Sequence, residues 1–305
     1  MSKPNEQPSA LVFNITRGSF VDGWGIRTTI FIKGCPLRCR WCCNPESQNI
    51  QPELAVIPED CTSCGLCRDV CPAVKLTEEG PVVDRALCNN CGKCADICVT
   101  NALSVYGKPY TVDEAFDTLI RDKAYFDRSG GGVTIGGGES TMSGDFTYAL
   151  LKKLQAAGVH VAIDSCGYMV HEKSLQILEE ADLILFDLKG ADREVHRRNT
   201  GADNAPIHAV LRHLGELNKD IIIRMPLIPG VNDDDETILK EAALIKEAGS
   251  VRRIDVIPYH DFGRVKYTRL GREYPADGTP ALTEEQKEHI VALLGETGVP
   301  VQIGG

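Results

Sequence analysis

The sequence predicts an α/β fold, a mostly parallel sheet flanked by helices and interrupted by a small cysteine-rich domain. Three observations carry this. From about Thr111 onward, apolar β-branched runs alternate with helical stretches. Between about Leu54 and Lys108 that alternation stops. Thirteen cysteines in 305 residues concentrate in one short loop and two tandem runs, leaving only Cys43 and Cys166 outside them.

The first element is a buried strand at Arg27–Ile32, β-branched and bounded by Gly25 and Gly34, which leads directly into the first cysteine loop. Later come helix 112–123, strand 133–135, helix 144–157 and strands 159–163 and 183–186. Helix 205–217, strand 221–224, helix 234–247, strand 254–257, helix 283–294 and strand 299–301 complete the pattern. Repeated strand–helix units imply a parallel sheet. It is either a partial or complete barrel or an open doubly wound sheet, and periodicity does not separate these. In each, ligands sit at the carboxyl ends of the strands. Gly136 to Glu139, Asp164 and Ser165, Asp187 with Lys189, Arg224, and Pro258 to His260 all fall there, so five strand ends are expected to share one mouth. The expected domains are 1–53 with 109–305, and an insert at 54–108.

Composition narrows the chemistry. With 43% hydrophobic residues the chain can bury one large core. A net charge of -10 argues against a phosphate backbone as partner, so no nucleic acid is expected. Nothing near Met1 has the pattern of an export signal, and no apolar run reaches membrane-spanning length, so a cytoplasmic protein with no membrane partner is expected. In that compartment thiols stay reduced, and thirteen cysteines point to metal rather than disulfides.

Within the insert, Cys61, Cys64, Cys67 and Cys71 precede Pro72 with the spacing C-x2-C-x2-C-x3-C. Cys88, Cys91, Cys94 and Cys98 repeat it. This is the spacing of a bacterial two-cluster ferredoxin, and it predicts two 4Fe-4S clusters; two four-thiolate zinc sites are the chemical alternative. The resemblance implies crossed ligation, with Cys61, Cys64 and Cys67 joined by Cys98, and Cys88, Cys91 and Cys94 joined by Cys71. The first loop differs. Cys35, Cys39 and Cys42 form CxxxCxxC, three thiols rather than four, and leave one iron of a cluster free to bind a small molecule. Adjacent Cys43 is read as a non-ligand, because successive side chains on an extended segment point apart.

CxxxCxxC with Trp41 before its third cysteine resembles the signature of the radical S-adenosylmethionine (SAM) superfamily. The stretch Ser19 to Thr29, containing Asp22-Gly23-Trp24-Gly25, and Cys42 to Ser47 resemble the hallmark of glycyl radical enzyme activating enzymes, including the subgroup with a ferredoxin-like insert. The likeness runs from about Ile15 to Gly305 and includes Gly263-Arg264-x-Lys266-Tyr267 and Leu270-Gly271-Arg272-Glu273-Tyr274.

That resemblance implies a partial (β/α) barrel of the radical SAM type, with three 4Fe-4S clusters and SAM as cofactors. Cys35, Cys39 and Cys42 would ligate the SAM cluster, with Trp41 near the adenine. Gly137, Gly138 and Glu139 would receive the methionine amino group through backbone and carboxylate. Asp164, Ser165 and Asp187 would lie near the SAM carboxylate, leaving room for a monovalent cation. Lys189, Arg224 and His260 would contact SAM, and Asp22 and Trp24 would meet the partner's peptide. The implied function is reductive SAM cleavage to a 5'-deoxyadenosyl radical, which takes a hydrogen from a glycine of a partner glycyl radical enzyme. An external donor such as flavodoxin or ferredoxin would supply the electron. A radical SAM enzyme acting on a small molecule is the alternative, and a plain electron carrier would leave the three-cysteine loop unexplained. Gly136 and Ser140 depart from the family's usual Ser-Gly-Gly-Glu-Pro, and Trp24 from its Asp-Gly-Pro-Gly.

Overall fold

The computed structural model describes residues 7–304, so residues 1 to 6 and 305 of the expected main domain lie outside it. In chain order the strands are β1 (Ser9–Ser19), β2 (Arg27–Ile32), β3 (Glu53–Val56), β4 (Val74–Thr77), β5 (Gly80–Val83), β6 (Leu103–Tyr106) and β7 (Lys108–Thr111). They continue with β8 (Gly132–Gly137), β9 (His160–Ser165), β10 (Leu183–Asp187), β11 (Ile221–Leu227), β12 (Val251–Pro258) and β13 (Val301–Ile303).

Nine strands form one sheet in the order β13-β12-β11-β10-β9-β8-β2-β1-β7. From β2 through β13 every neighbouring pair is parallel, while β1 is antiparallel to both β2 and β7. The parallel order never reverses, which removes the doubly wound alternative: right-handed crossovers then place all helices on one face. β7 and β13 remain edges, so the sheet is open and not a complete barrel.

Alternation along each strand divides the side chains between two faces. Ile184 and Phe186 of β10, with Ile223 and Met225 of β11, join Leu150, Leu154, Ile177, Leu211 and Ile245 of the covering helices in the main core. Ala162, Leu183, Leu185 and Ile222 face the other way and form a separate inner cluster. One register step further along that inner face stand Asp164, Asp187 and Arg224, with Asp187 directly opposite Arg224.

Most expected elements form within a few residues of their predicted bounds. Helix 112–123 instead divides into Val112–Leu119, which starts with a Thr111 capping box, a short 3-10 turn, and Lys123–Ser129. At the break, Asp122 is buried and accepts hydrogen bonds from Arg17 and Thr28. The insert is built on two antiparallel pairs, β3 with β6 and β4 with β5, around Leu54, Cys67, Val74, Cys94 and Leu103. Its first strand starts at Glu53, and Lys108 belongs to β7 of the main sheet. Among the described residues no helix is long and apolar enough to cross a membrane.

Candidate functional site

The parallel strands open onto a cavity of about 200 Å³ at their carboxyl ends. The loop that follows β2 covers it, held to the helix Arg193–Thr200 by backbone bonds from Arg38 to Thr200 (2.7 Å) and from Arg40 to Asn199 (3.0 Å). Cys35, Cys39, Cys42 and Cys43 line the cavity with Trp41, Gly137, Gly138, Asp187, Lys189, Arg224 and His260. Burial pushes the Cys35 thiol up to about 12 and raises Cys39 and Cys42 as well, so thiolate here requires a cationic partner such as iron.

Below the thiols lies a charged layer. Arg224 Nη1 stands 3.2 Å from Asp164 and 3.9 Å from Asp22, its Nε is 3.9 Å from Asp187, and Lys189 Nζ donates to Asp187 at 2.7 Å. Three carboxylates thus face two cations. Burial raises Asp164 to about 7, opposed by Arg224, while Lys189 and Arg224 hold Asp187 below its usual range despite its own burial. Two buried donors or acceptors in this region, Arg224 Nε and His260 Nδ1, have no hydrogen-bond partner. Unsatisfied polar atoms that line a cavity fit a ligand bearing carboxylate and ammonium groups.

A family model described as the radical SAM superfamily matches residues 29–242. The chain belongs to the radical SAM superfamily. It is 37% identical over 302 residues to the choline trimethylamine-lyase activating enzyme of Oleidesulfovibrio alaskensis, covering 96% of this chain and 97% of the relative. It is 38% identical over 299 residues to the trans-4-hydroxy-L-proline dehydratase activating enzyme of Clostridioides difficile, covering 97% and 99%. Among solved structures, Streptococcus suis SuiB bound to precursor peptide SuiA shares the fold, with a TM-score of 0.52 and 15% identity over 89% of this chain and 46% of that one. The protein is thus a radical SAM enzyme of the glycyl radical enzyme activating group, and the family brings with it a 4Fe-4S cluster and SAM.

In this activating enzyme most of the predicted residues gather at or beneath the cavity, while Glu139, Ser165, Trp24 and Asp22 are placed as follows. Glu139 is fully buried and does not line the cavity. Its carboxylate accepts from Thr141 N and Oγ1, Ser165 Oγ, and Cys166 N and Sγ, at 2.8–3.1 Å. Those five donors occupy its lone pairs, so Glu139 shapes the glycine loop and leaves the backbone of Gly137 and Gly138 to face a ligand. Ser165 likewise serves Glu139 rather than the cavity. The ring of Trp24 packs on the inner apolar cluster of Ala162, Leu183, Leu185 and Ile222, with the Arg253 guanidinium 4.8 Å above it. It is the floor beneath the charged layer. Asp22 also turns inward, accepting from Ser19 (2.6 Å) and Thr29 (2.7 Å).

Sequence reasoning missed Cys166, which lines the cavity and packs near Cys35 and Cys39. It also missed Arg27, fully buried and bonded to Thr134 and the Val133 carbonyl. Position was the available signal for both, since Cys166 follows Ser165 and Arg27 opens β2. Gly136, a departure from the usual serine, leaves room for Asp164, whose Cβ would lie 3.3 Å from an added methyl.

In the insert, Cys61, Cys64, Cys67 and Cys98 line one small cavity. Cys71 interacts with Cys94 from the second run, near Cys88. The two runs repeat their backbone: Ser63 and Asn90 have φ of 57° and 56°, Gly65 and Gly92 of 84° and 78°. Among the described residues no group of three or more His, Cys, Asp and Glu converges to hold a single metal ion.

Proposed function

We propose that this activating enzyme is a partial barrel of the radical SAM type that binds SAM at the mouth and acts on a glycine of a partner enzyme, with a ferredoxin-like insert holding two further 4Fe-4S clusters. The observation that carries the mouth reading is the coincidence of three thiols with unpartnered Arg224 Nε and His260 Nδ1 in one cavity. Cys35, Cys39 and Cys42 would hold the catalytic cluster, which when bound supplies the electron that cleaves SAM to methionine and a 5'-deoxyadenosyl radical. Gly137 and Gly138 would orient the methionine amino group by their backbone. Arg224 and Lys189 would receive the carboxylate, and Trp41 would flank the adenine. Asp164 and Asp187 would face a monovalent cation, and the Trp24 floor would exclude water from below. An external one-electron donor, a flavodoxin or ferredoxin, would reduce the enzyme.

The insert reading is supported by the duplicated backbone, by the grouping of Cys98 with the first run and by the contact of Cys71 with the second. Anaerobic incubation with dithionite and SAM is expected to yield 5'-deoxyadenosine. Addition of a candidate glycyl radical enzyme is expected to give a glycyl doublet in electron paramagnetic resonance. Deoxyadenosine without any doublet would return the reading to a small-molecule substrate.

A further inference from the structure

The late motif around Lys266 and Arg272 contributes no group to the charged layer, yet it runs from the cysteine loop to the base of the insert. At one end Gly263 passes so close to the loop that an added Cβ would lie 2.7 Å from the Cys42 carbonyl oxygen. Next, Lys266 Nζ donates to Asn44 Oδ1 (2.6 Å) and Glu46 Oε1 (2.8 Å). At the other end Arg272 donates to the Pro45 carbonyl (3.1 Å) and to the carboxylate of Glu53, the first residue of the insert. Glu53 has a second partner, Lys33 Nζ, at 3.3 Å.

Lys33 is placed unusually. Its side chain is 0% exposed, it follows β2 directly, and it stands two residues before Cys35. Its stem lies against Gly107, where the chain returns from the insert; a Cβ on Gly107 would be 2.5 Å from Lys33 Cδ. Its ammonium donates to the Glu46 carbonyl as well as to Glu53. One buried side chain therefore touches the point where the insert leaves and the point where it returns, at the root of the cysteine loop.

Two chain crossings alone would leave the insert free to swivel on the main domain. Burying a lysine and a glutamate together, with Arg272 still one-third exposed, is costly, and an apolar contact of equal volume would hold as well, so orientation is what this arrangement adds. We propose that buried Lys33 and Glu53, with the partly exposed Arg272, form a pin that fixes the insert relative to the cysteine loop. Lys33 and Arg272 are then positioning residues for electron passage between them. With the cysteines of the insert and of the Cys35 loop holding clusters, one electron from the external donor would pass from the insert to the Cys35 loop, the first being reoxidised as the second is reduced. The electron-transfer part rests on the reading of the insert as a cluster carrier; the pin does not.

The test compares the full chain, reconstituted with iron and sulfide, as wild type, Arg272→Met, Arg272→Lys, Glu53→Gln and Lys33→Met. In Arg272→Met and Glu53→Gln, amide exchange of β3 and β6 is expected to quicken roughly tenfold while β8 to β12 keep their protection. The magnetic interaction between reduced clusters is expected to weaken and reduction of the SAM cluster to slow, with Arg272→Lys near wild type. Unchanged exchange at β3 and β6, or a uniform rise across β8 to β12, overturns the pin. Quickened exchange with unaltered cluster interaction and reduction rate overturns the positioning role. Wild type carrying roughly four irons per chain rather than twelve overturns the cluster reading alone, and the exchange data still decide the pin.

Discussion

Substituting Gly138 by alanine tests the cradle between the glycine loop and the cysteine loop. Gly138 does not have a positive φ, so alanine meets no backbone penalty there and only the contact is altered. The new methyl would meet the Gly34 carbonyl, with Gly34 C at 2.7 Å and Cys35 Cβ at 3.0 Å. Carbon atoms ordinarily rest about 3.5–4.0 Å apart, so an overlap of about 1 Å must be relieved. Backbone supplies the nearest atoms, and no side-chain rotation can absorb it. Relief requires moving Gly34, and Cys35 with it. Overpacking of this kind costs about 1–3 kcal/mol, and a shift of about 1 Å at a reacting centre lowers rate on the order of 100-fold. Urea unfolding and the rate of 5'-deoxyadenosine formation under dithionite measure the two effects. Gly295→Ala is the control, because nothing lies within 4 Å of its added methyl. If Gly138→Ala matched wild type in both stability and rate, the close approach would not be what positions Cys35.

Asp164 gives a pH signature. Burial, with Asp187 and Asp22 beside it, raises its folded value to about 7 from 3.8, opposed by Arg224 and Lys189. The folded state then keeps a proton that the unfolded state has lost, so the stability present below pH 3.8 drains as pH rises to about 7. The loss is at most about 4 kcal/mol, and Asp164→Asn is expected to flatten that slope in unfolding titrations. Glu241 is fully buried and neither carboxyl oxygen has a partner; burial raises it well above the usual range. Glu241→Met should therefore stabilise by about 1–3 kcal/mol, with the gain growing as pH rises, read by the same unfolding assay. Thr111→Ala removes the hydroxyl that accepts from Glu114 N–H while the Thr111 backbone N–H keeps its bond to the Glu114 carboxylate, and should lower stability by about 1 kcal/mol in thermal unfolding. Cys43→Ser should keep the iron content and SAM-cluster spectrum of wild type, whereas Cys42→Ser should lose that cluster.

Much of the site was legible because chemistry with fixed spacing leaves a trace in sequence. Three thiols at CxxxCxxC and eight in two matched runs need no tertiary information to be recognised as cluster patterns. Strand ends were legible for a similar reason: a buried parallel strand reads as a short β-branched run, and Asp164, Asp187 and Arg224 each sit on or at the end of one. Short helices such as Arg193–Thr200 and Arg264–Arg269 were not legible. The first carries too few apolar residues for a periodic signal and is held by its Asp192 cap and the backbone of the cysteine loop.

The sequence by itself determined the strand–helix alternation and the spacing of the cysteines, because thiol spacing and hydrophobic period are local properties. Which way a side chain faces was decided only by the tertiary structure. Glu139, read as a ligand to the methionine amino group, turns into five internal donors because the β9 segment carrying Ser165 and Cys166 lies alongside it. Trp24 packs on the inner apolar cluster because the inner faces of β9, β10 and β11 leave an apolar patch beneath their charged layer. Lys33 meets Glu46, Glu53 and Gly107 because segments far apart in the chain converge at its side chain, and no local pattern records such a meeting.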